Sequence, residues 1–305
     1  MNFEVTILGS GAAVPTLRRN PTSQYVVCND RHILIDCGEG TQMQIRNYGI
    51  RFQRLTHILI SHLHGDHFFG LVGLLSTMHL MGRDKGITVY GPKELESIVK
   101  SQLEIGGAKL DFDLQFVATD PKNSQLIFED KLIEIHSFPL KHRIPTTGFL
   151  IREKAKEFNL NSEAIKGSGL KIEHFHLLKK GEDVLDEDGQ IFRFKDYTFP
   201  PKPSYSYAFC SDTKYDVSIV PYVKDVSVLY HEATFTEKDS ERAKATFHST
   251  AAQAADIATR ANVGKLYLGH LSARYESTAA HLSEAAKFFE NTEVVEDGMK
   301  FTISA

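Results

Sequence analysis

The sequence predicts an α/β protein with paired strands at both ends. Three observations point there. Short apolar runs alternate with amphipathic or alanine-rich helical patterns. Turn-forming residues separate the runs. Metal-type polar side chains recur just past the ends of strand patterns, where open α/β sheets gather ligands.

In chain order, "FEVTILGSG" is an apolar strand stopped by glycines. "QYVVCND" and "RHILID" read as two strands joined by an Asn29–Asp30 turn. "THILI" is a short, fully apolar strand, and "SHLHGDHFFG" (Ser61 to Gly70) follows at once. Phe68 and Phe69 are expected to open a buried helix. "GITVYGP" is the next strand and "KELESIVKSQL" an amphipathic helix. "LQFVA", "QLIFED" and "LIEIHSFPL" are strand candidates.

The segment from about 152 to 203 differs. It is rich in Lys, Glu and Asp, contains "KGSG" and ends in "FPPKP". It reads as a protruding insertion, with a long solvated loop as the plain alternative. Regular alternation then resumes. "SYSYAFCSD" ends at Asp212, "SVLYHEATF" presents His231 and Glu232, and "KLYLGH" ends at His270. "STAAQAADIATRA" and "STAAHLSEAAKFFE" are helices, and "TEVVEDGMKFTIS" is expected to close the chain as a hairpin.

Composition bounds the function. At 305 residues the chain can bury a large core as one domain or two modest ones. A formal net charge of -4 excludes a generally basic nucleic-acid binder, so a polyanion would need local patches or metal ions. Cys28, Cys37 and Cys210 are widely spaced and include no C-x-x-C pair, which argues against a disulfide framework and a zinc ribbon. The apolar run Phe68 to Met81 is too short and too mixed to span a bilayer. The N-terminus lacks a cationic signal region. A cytoplasmic enzyme is the expectation, with no membrane partner.

The loop "HLHGD" carries the chemistry. His62 and His64 are two apart, so an extended backbone points both to one side. Gly65 permits a sharp turn. Asp66 and His67 then face a second direction. Four ligands facing two ways suit two metal ions. Neutral imidazoles with a carboxylate favour zinc and admit manganese or iron. His142, Asp212 and His270 complete a set: His62, His64 and His142 on one metal, Asp66, His67 and His270 on the other, and Asp212 bridging.

H-x-H-x-D-H after a strand, followed by a distant His, Asp and His, resembles the metallo-β-lactamase superfamily. "PTLRRNPTS" (Pro15 to Ser23), "HEATF" (His231 to Phe235), "FHST" (Phe247 to Thr250) and "GHLSARY" (Gly269 to Tyr275) together resemble the ribonuclease Z family. The resemblance spans nearly the whole chain. It implies an αββα sandwich with an inserted flexible arm at about 152–203, usually as a homodimer. It implies a two-zinc endonuclease, in which metal-bound hydroxide cuts precursor tRNA after the discriminator base and leaves a 3′-hydroxyl. The family's ligands fall on His62, His64, Asp66, His67, His142, Asp212 and His270, and its general base on Asp66. The arm departs from the Gly/Pro-rich turn of many bacterial members, but Lys166, Lys171, Lys179 and Lys180 keep basic groups there for phosphate contact.

Beyond the ligands, His248 is a candidate acid for the departing 3′-oxygen, with Glu232 orienting its ring. The competing reading of His248 is a helix cap, which Ser249 or Thr250 would serve better. Arg18, Arg19 and Asn20 are candidates for contact with phosphate or the 3′ end. Asp36 in "LIDCGEG" reads as a residue bonding a ligand histidine or a backbone amide. "GSGAAV" lacks the third glycine of a dinucleotide loop and reads as a tight turn near the site. Two other classes compete: a small-molecule hydrolase of the same fold, and a catalytically silent nucleic-acid-binding module. The charged insertion speaks against the first and the complete ligand set against the second.

Overall fold

The computed structural model describes residues 3–304, which divide into two compact units, 3–153 with 205–304, and 154–204. In the larger unit, two seven-stranded sheets pack face to face. One runs in the order Lys300–Thr302, Phe3–Gly9, Ser23–Cys28, Arg31–Ile35, His57–Leu59, Ile87–Gly91, Leu114–Ala118. The other runs Thr292–Val294, Lys265–Gly269, Val228–Glu232, Ser206–Cys210, Thr146–Glu153, Ile133–Leu140, Gln125–Glu129.

Alternation builds the layers. Val5, Ile7, Val26, Ile33, Ile35 and Leu59 face inward and meet Ile133, Ile135, Phe149, Ile151, Phe209 and Tyr230 of the opposite sheet. Leu8, Leu34, Ile58 and Ile60 face outward, onto Ile45 of helix Thr41–Asn47, Leu71, Leu74 and Leu75 of helix Leu71–Leu80, and Val99 and Leu103 of helix Leu95–Ile105. Helix Ala251–Arg260 covers the second sheet with Ala251, Ala254, Ala255, Ile257 and Ala258, whose small side chains let it lie close against Leu229, Leu266 and Leu268. The result is helix, sheet, sheet, helix.

Strand direction positions the site. Arg31–Ile35 and His57–Leu59 are parallel, and so are Ser206–Cys210, Val228–Glu232 and Lys265–Gly269. Their carboxyl ends therefore lie along one edge of each sheet. There Thr147 N–H donates to the Ser61 carbonyl at 3.0 Å, and the Ser61 and Ser211 hydroxyls meet at 2.9 Å, tying the two sheets together.

The turn at Asn29–Asp30 forms as the sequence predicts, with φ of 48° and 66° between antiparallel strands. Two expectations need correction. Thr292–Val294 and Lys300–Thr302 do not form a hairpin: they join different sheets, pairing with Lys265–Gly269 and Phe3–Gly9. Each has a longer, more buried strand to add to, and the intervening chain crosses between the layers. Phe69 does not open a buried helix. The chain breaks between helices Gly65–Phe68 and Leu71–Leu80, and Phe69 is 66% exposed although Phe68 is buried. Gly70 lies at that break because its N–H donates to the Cys37 carbonyl at 2.9 Å, and a Cβ there would sit 2.1 Å from the Gly38 carbonyl oxygen. The insertion expected at about 152–203 corresponds to the smaller unit, 154–204, with Arg152 still paired within the second sheet.

That unit is folded, which disposes of the solvated-loop alternative. Leu178, Val184 and Phe192 form its core, with Leu160, Phe194 and Tyr197 packed against them. Strand pairs Asn159–Leu160 with Thr198–Phe199 and Val184–Leu185 with Ile191–Phe192 frame it. Among the described residues, no helix is long and apolar enough to cross a membrane.

Phe149 is fully buried between the sheets, beside Phe209. Phe149→Ala should lower the unfolding free energy by ~3–5 kcal/mol, read from the urea midpoint. A loss below ~1 kcal/mol would contradict the inter-sheet core.

Candidate metal centre and acid pair

Seven side chains converge where the strand ends meet. The first group is His62 Nε2, His64 Nδ1, His142 Nε2 and Asp212 Oδ2. His64 Nδ1 lies 3.0 Å from His62 Nε2 and 3.2 Å from His142 Nε2, and both Nε2 atoms lie 3.6 Å from Asp212 Oδ2. The second group is Asp66 Oδ2, His67 Nε2 and His270 Nε2, with Asp212 Oδ1 beside both imidazoles. Both imidazoles lie 3.5 Å from Asp66 Oδ2, and they are 3.4 and 3.2 Å from Asp212 Oδ1. Four ligands at ~2.0–2.1 Å around a tetrahedral cation stand about 3.3–3.4 Å apart. The separations above, 3.0–3.6 Å, bracket that spacing, and Asp212 turns one oxygen to each group.

The buried atoms Asp212 Oδ1, His67 Nε2 and His270 Nε2 have no hydrogen-bond partner in the protein. Three orphaned polar atoms turned toward one point are costly unless something charged joins them. The donor set therefore fits a divalent cation.

Hydrogen bonds aim the rings. His67 Nδ1 contacts Asp36 Oδ2 at 2.7 Å, His142 Nδ1 the Phe247 carbonyl at 2.8 Å, His62 Nδ1 the Ser61 hydroxyl at 3.0 Å, and His270 Nδ1 the Thr234 hydroxyl at 3.0 Å. The Asp36 carboxylate and the Phe247 carbonyl can only accept, so His67 and His142 carry a ring proton on Nδ1, and all four contacts turn Nε2 toward the ligand groups. Asp36 also accepts from Ser61 N–H at 2.8 Å and from its hydroxyl at 2.9 Å, the two kinds of bond the sequence suggests for it. Asp36 and His270 both adopt left-handed backbone, φ 55° and 56°, just past strand ends. Such strain in non-glycine residues costs about 1 kcal/mol or more and here turns side chains into the centre.

Charge is balanced inside the site. Burial holds His62, His64 and His142 below the usual imidazole range, so they are neutral ligands. Burial also opposes charge on His67, but Asp212, Asp36 and Asp66 outweigh it and raise its pKa well above normal. Burial would raise the pKa of Asp66 and Asp212; for Asp66 the His67 and His270 rings win, and for Asp212 the His270 and His67 rings do, so both stay ionised. Asp66 Oδ2 also accepts from Ala13 N–H at 2.7 Å, which ties the turn after the first strand to the site.

Beside the ligands lies an acid pair. Glu232 is fully buried, and its Oε1 accepts from His248 Nδ1 at 2.9 Å and from the N–H groups of Thr213 and Ser249, both at 3.1 Å. Burial opposes a charge on His248, but Glu232 and Asp212 raise its pKa to about 9. His248 also lies near Asp212 and His270, with which it forms a third group of ligand-type side chains, but its Nδ1 is taken by Glu232. Thr250, not His248, caps helix Ala251–Arg260, through a capping box with Gln253. His231 belongs to neither ligand group among the described residues, because neighbouring strand residues point to opposite faces.

The other sequence candidates divide. Arg18 is exposed. Arg19 Nη1 donates to the Tyr275 carbonyl at 2.8 Å, and Asn20 donates from backbone and side chain to Asp297 at 2.8 and 3.0 Å, so both brace the loop they sit on. Lys179 and Lys180 lie on helix Phe175–Lys180 of the smaller unit, and the centre in the larger unit is built without them. The centre opens into a cleft of ≈ 580 Å³, walled by Phe69, Phe235, Arg143, Arg242 and Arg274. The sequence alone assigned no role to Arg143, Arg242 or Arg274. Arg143 and Arg274 lie within one and four positions of ligands, which is a usable signal; Arg242 has none.

A model of the family described as "Anti-Pycsar protein Apyc1" matches residues 3–161, a stretch that includes the Ser61–Gly70 loop but not Asp212, Glu232, His248 or His270. A "Ribonuclease Z" of Parabacteroides distasonis is 45% identical over 302 residues, 99% of each chain. One of Porphyromonas gingivalis is 41% identical over 301 residues, also 99% of each. Among solved structures, the short form of human tRNase Z gives a TM-score of 0.73 at 28% identity, covering 99% of this chain and 100% of that one. The metallo-β-lactamase fold protein YhfI of Bacillus subtilis gives 0.70 at 16% identity, over 99% and 100%.

Returning a divalent metal to chelator-stripped protein, at 100 times its Kd, should stabilise the fold by ~2.7 kcal/mol and raise Tm by at least about 3 °C. An unchanged Tm would contradict the site.

Proposed function

The chain belongs to the ribonuclease Z family, and we propose that it removes the 3′ trailer from precursor tRNA, cutting after the discriminator base and leaving a 3′-hydroxyl on the tRNA. The observation that carries this reading is the buried Asp212 carboxylate, with one oxygen in each of two ligand groups beside the Glu232–His248 pair. His62, His64 and His142 would hold one zinc ion, Asp66, His67 and His270 a second, and Asp212 both; manganese also suits these ligands. Bound cations would supply the positive charge that polarises the phosphodiester and lowers the pKa of an attacking water.

The chain's own residues do the rest. Asp66 is kept ionised by its histidine neighbours and can take the proton of the attacking water. His248 is held through Nδ1 by Glu232, which leaves Nε2 to donate a proton to the departing 3′-oxygen. Arg18 contacts phosphate near the cut, on the loop that Arg19 and Asn20 brace. The smaller unit grips the tRNA, with Lys179 and Lys180 as phosphate contacts. The active form is a cytoplasmic homodimer.

The direct test is to incubate the metal-loaded protein with a precursor tRNA bearing a trailer and map both new ends. A 3′-hydroxyl after the discriminator base and a 5′-phosphate on the trailer are expected. Intact RNA alongside turnover of a small ester would overturn the reading. His248→Ala should keep its metal and lose ~10²–10⁴-fold in kcat; near-normal kcat would remove the acid role. Replacing Lys154–Ser204 with a short glycine linker should raise KM for precursor tRNA and spare hydrolysis of a small phosphodiester. Equal loss on both substrates would contradict a gripping role.

A further inference from the structure

Thr234 lies on the segment after strand Val228–Glu232 and is 4% exposed. Its hydroxyl stands at three short distances: 2.8 Å from Glu232 Oε2, 3.0 Å from His270 Nδ1 and 3.2 Å from His248 Nδ1. A hydroxyl has one hydrogen and two lone pairs. A carboxylate oxygen can only accept, and Glu232 Oε2 already accepts from Thr234 N–H at 2.9 Å. If the hydroxyl hydrogen pointed at either ring, two oxygens would face each other at 2.8 Å without a proton between them. The hydrogen therefore goes to Glu232. Both imidazoles must then donate to the threonine oxygen from Nδ1.

We propose that Thr234 is a positioning residue whose single hydroxyl fixes the ring tautomer of the ligand His270 and, with Glu232, the orientation of His248. The proton on Nδ1 of His270 frees its buried Nε2 toward Asp66 Oδ2 and Asp212 Oδ1. The same oxygen and Glu232 Oε1 share the Nδ1 proton of His248. One side chain thus ties a metal ligand to the leaving-group acid. Ser61 is the counterpart in the other group, donating to Asp36 Oδ2 at 2.9 Å and standing 3.0 Å from His62 Nδ1. Ser61 serves ligand histidines; Thr234 spans a ligand and the acid. The β-branched methyl adds rotamer stiffness.

This inference rests on the metal-dependent reading of the site, and its test separates the two. Thr234→Val keeps the shape and removes the hydroxyl; Thr234→Ser keeps the hydroxyl and removes the methyl. Affinity for zinc alone is measured by chelator competition, and kcat and KM for precursor tRNA at saturating zinc. Thr234→Val should bind zinc ~10–100-fold more weakly and lose at least about tenfold in kcat with little change in KM. Thr234→Ser should recover both to within about threefold. Unchanged zinc affinity in Thr234→Val would overturn the proposal, and so would a serine variant as impaired as the valine one, since a packing role follows the methyl. The zinc titration needs no RNA, so it still decides if precursor tRNA proves not to be the substrate.

Discussion

The structure depends on one buried carboxylate. Asp212 is 3% exposed, yet it must stay ionised to place an oxygen in each of two ligand groups. An isolated buried carboxylate would take up a proton instead. Here His67 and His270 prevent this, and each of those rings is in turn held through Nδ1. Two sheets bring their carboxyl ends to a common edge, so that Asp66 and His270, more than 200 positions apart, share one charge network.

The network has a regular construction. Behind each half of the centre stands a buried carboxyl group, Asp36 or Glu232, and in front of it a hydroxyl, Ser61 or Thr234, that relays orientation to an imidazole. Buried polar networks of this kind are stabilising only when every member is satisfied. The exceptions in this network include Asp212 Oδ1, His67 Nε2 and His270 Nε2, which turn toward one another. Rigidity has a second source in the backbone: Asp36 and His270 are held left-handed, and Gly70 lets two loops approach more closely than any side chain would permit.

Much of this was legible in the sequence. His62, His64, Asp66 and His67 announce themselves because one loop supplies both ligand groups and keeps them contiguous. His142, Asp212 and His270 were readable from position, since a polar residue just past an apolar strand marks a sheet edge. Partner choice was less legible. The alternation in Thr292–Val294 and Lys300–Thr302 specifies strands but not which sheet accepts them, and an adjacent pair was misread as a hairpin. Phe69 looked like core because it is apolar and follows Phe68, but a helix break turns it to the cleft mouth. The bonds from Asn20 to Asp297, 277 positions away, had no local signal. Arg242 carried no signal and Thr234 stood out only as a member of "HEATF", because hydroxyls and lone arginines acquire meaning only through neighbours that folding supplies.

The most direct test of the central claim is anomalous X-ray scattering at the zinc edge from metal-loaded crystals. The account predicts two peaks, one bonded to His62, His64 and His142, the other to Asp66, His67 and His270, both touching Asp212. A single peak, or peaks that leave Asp212 without a metal contact, would contradict it.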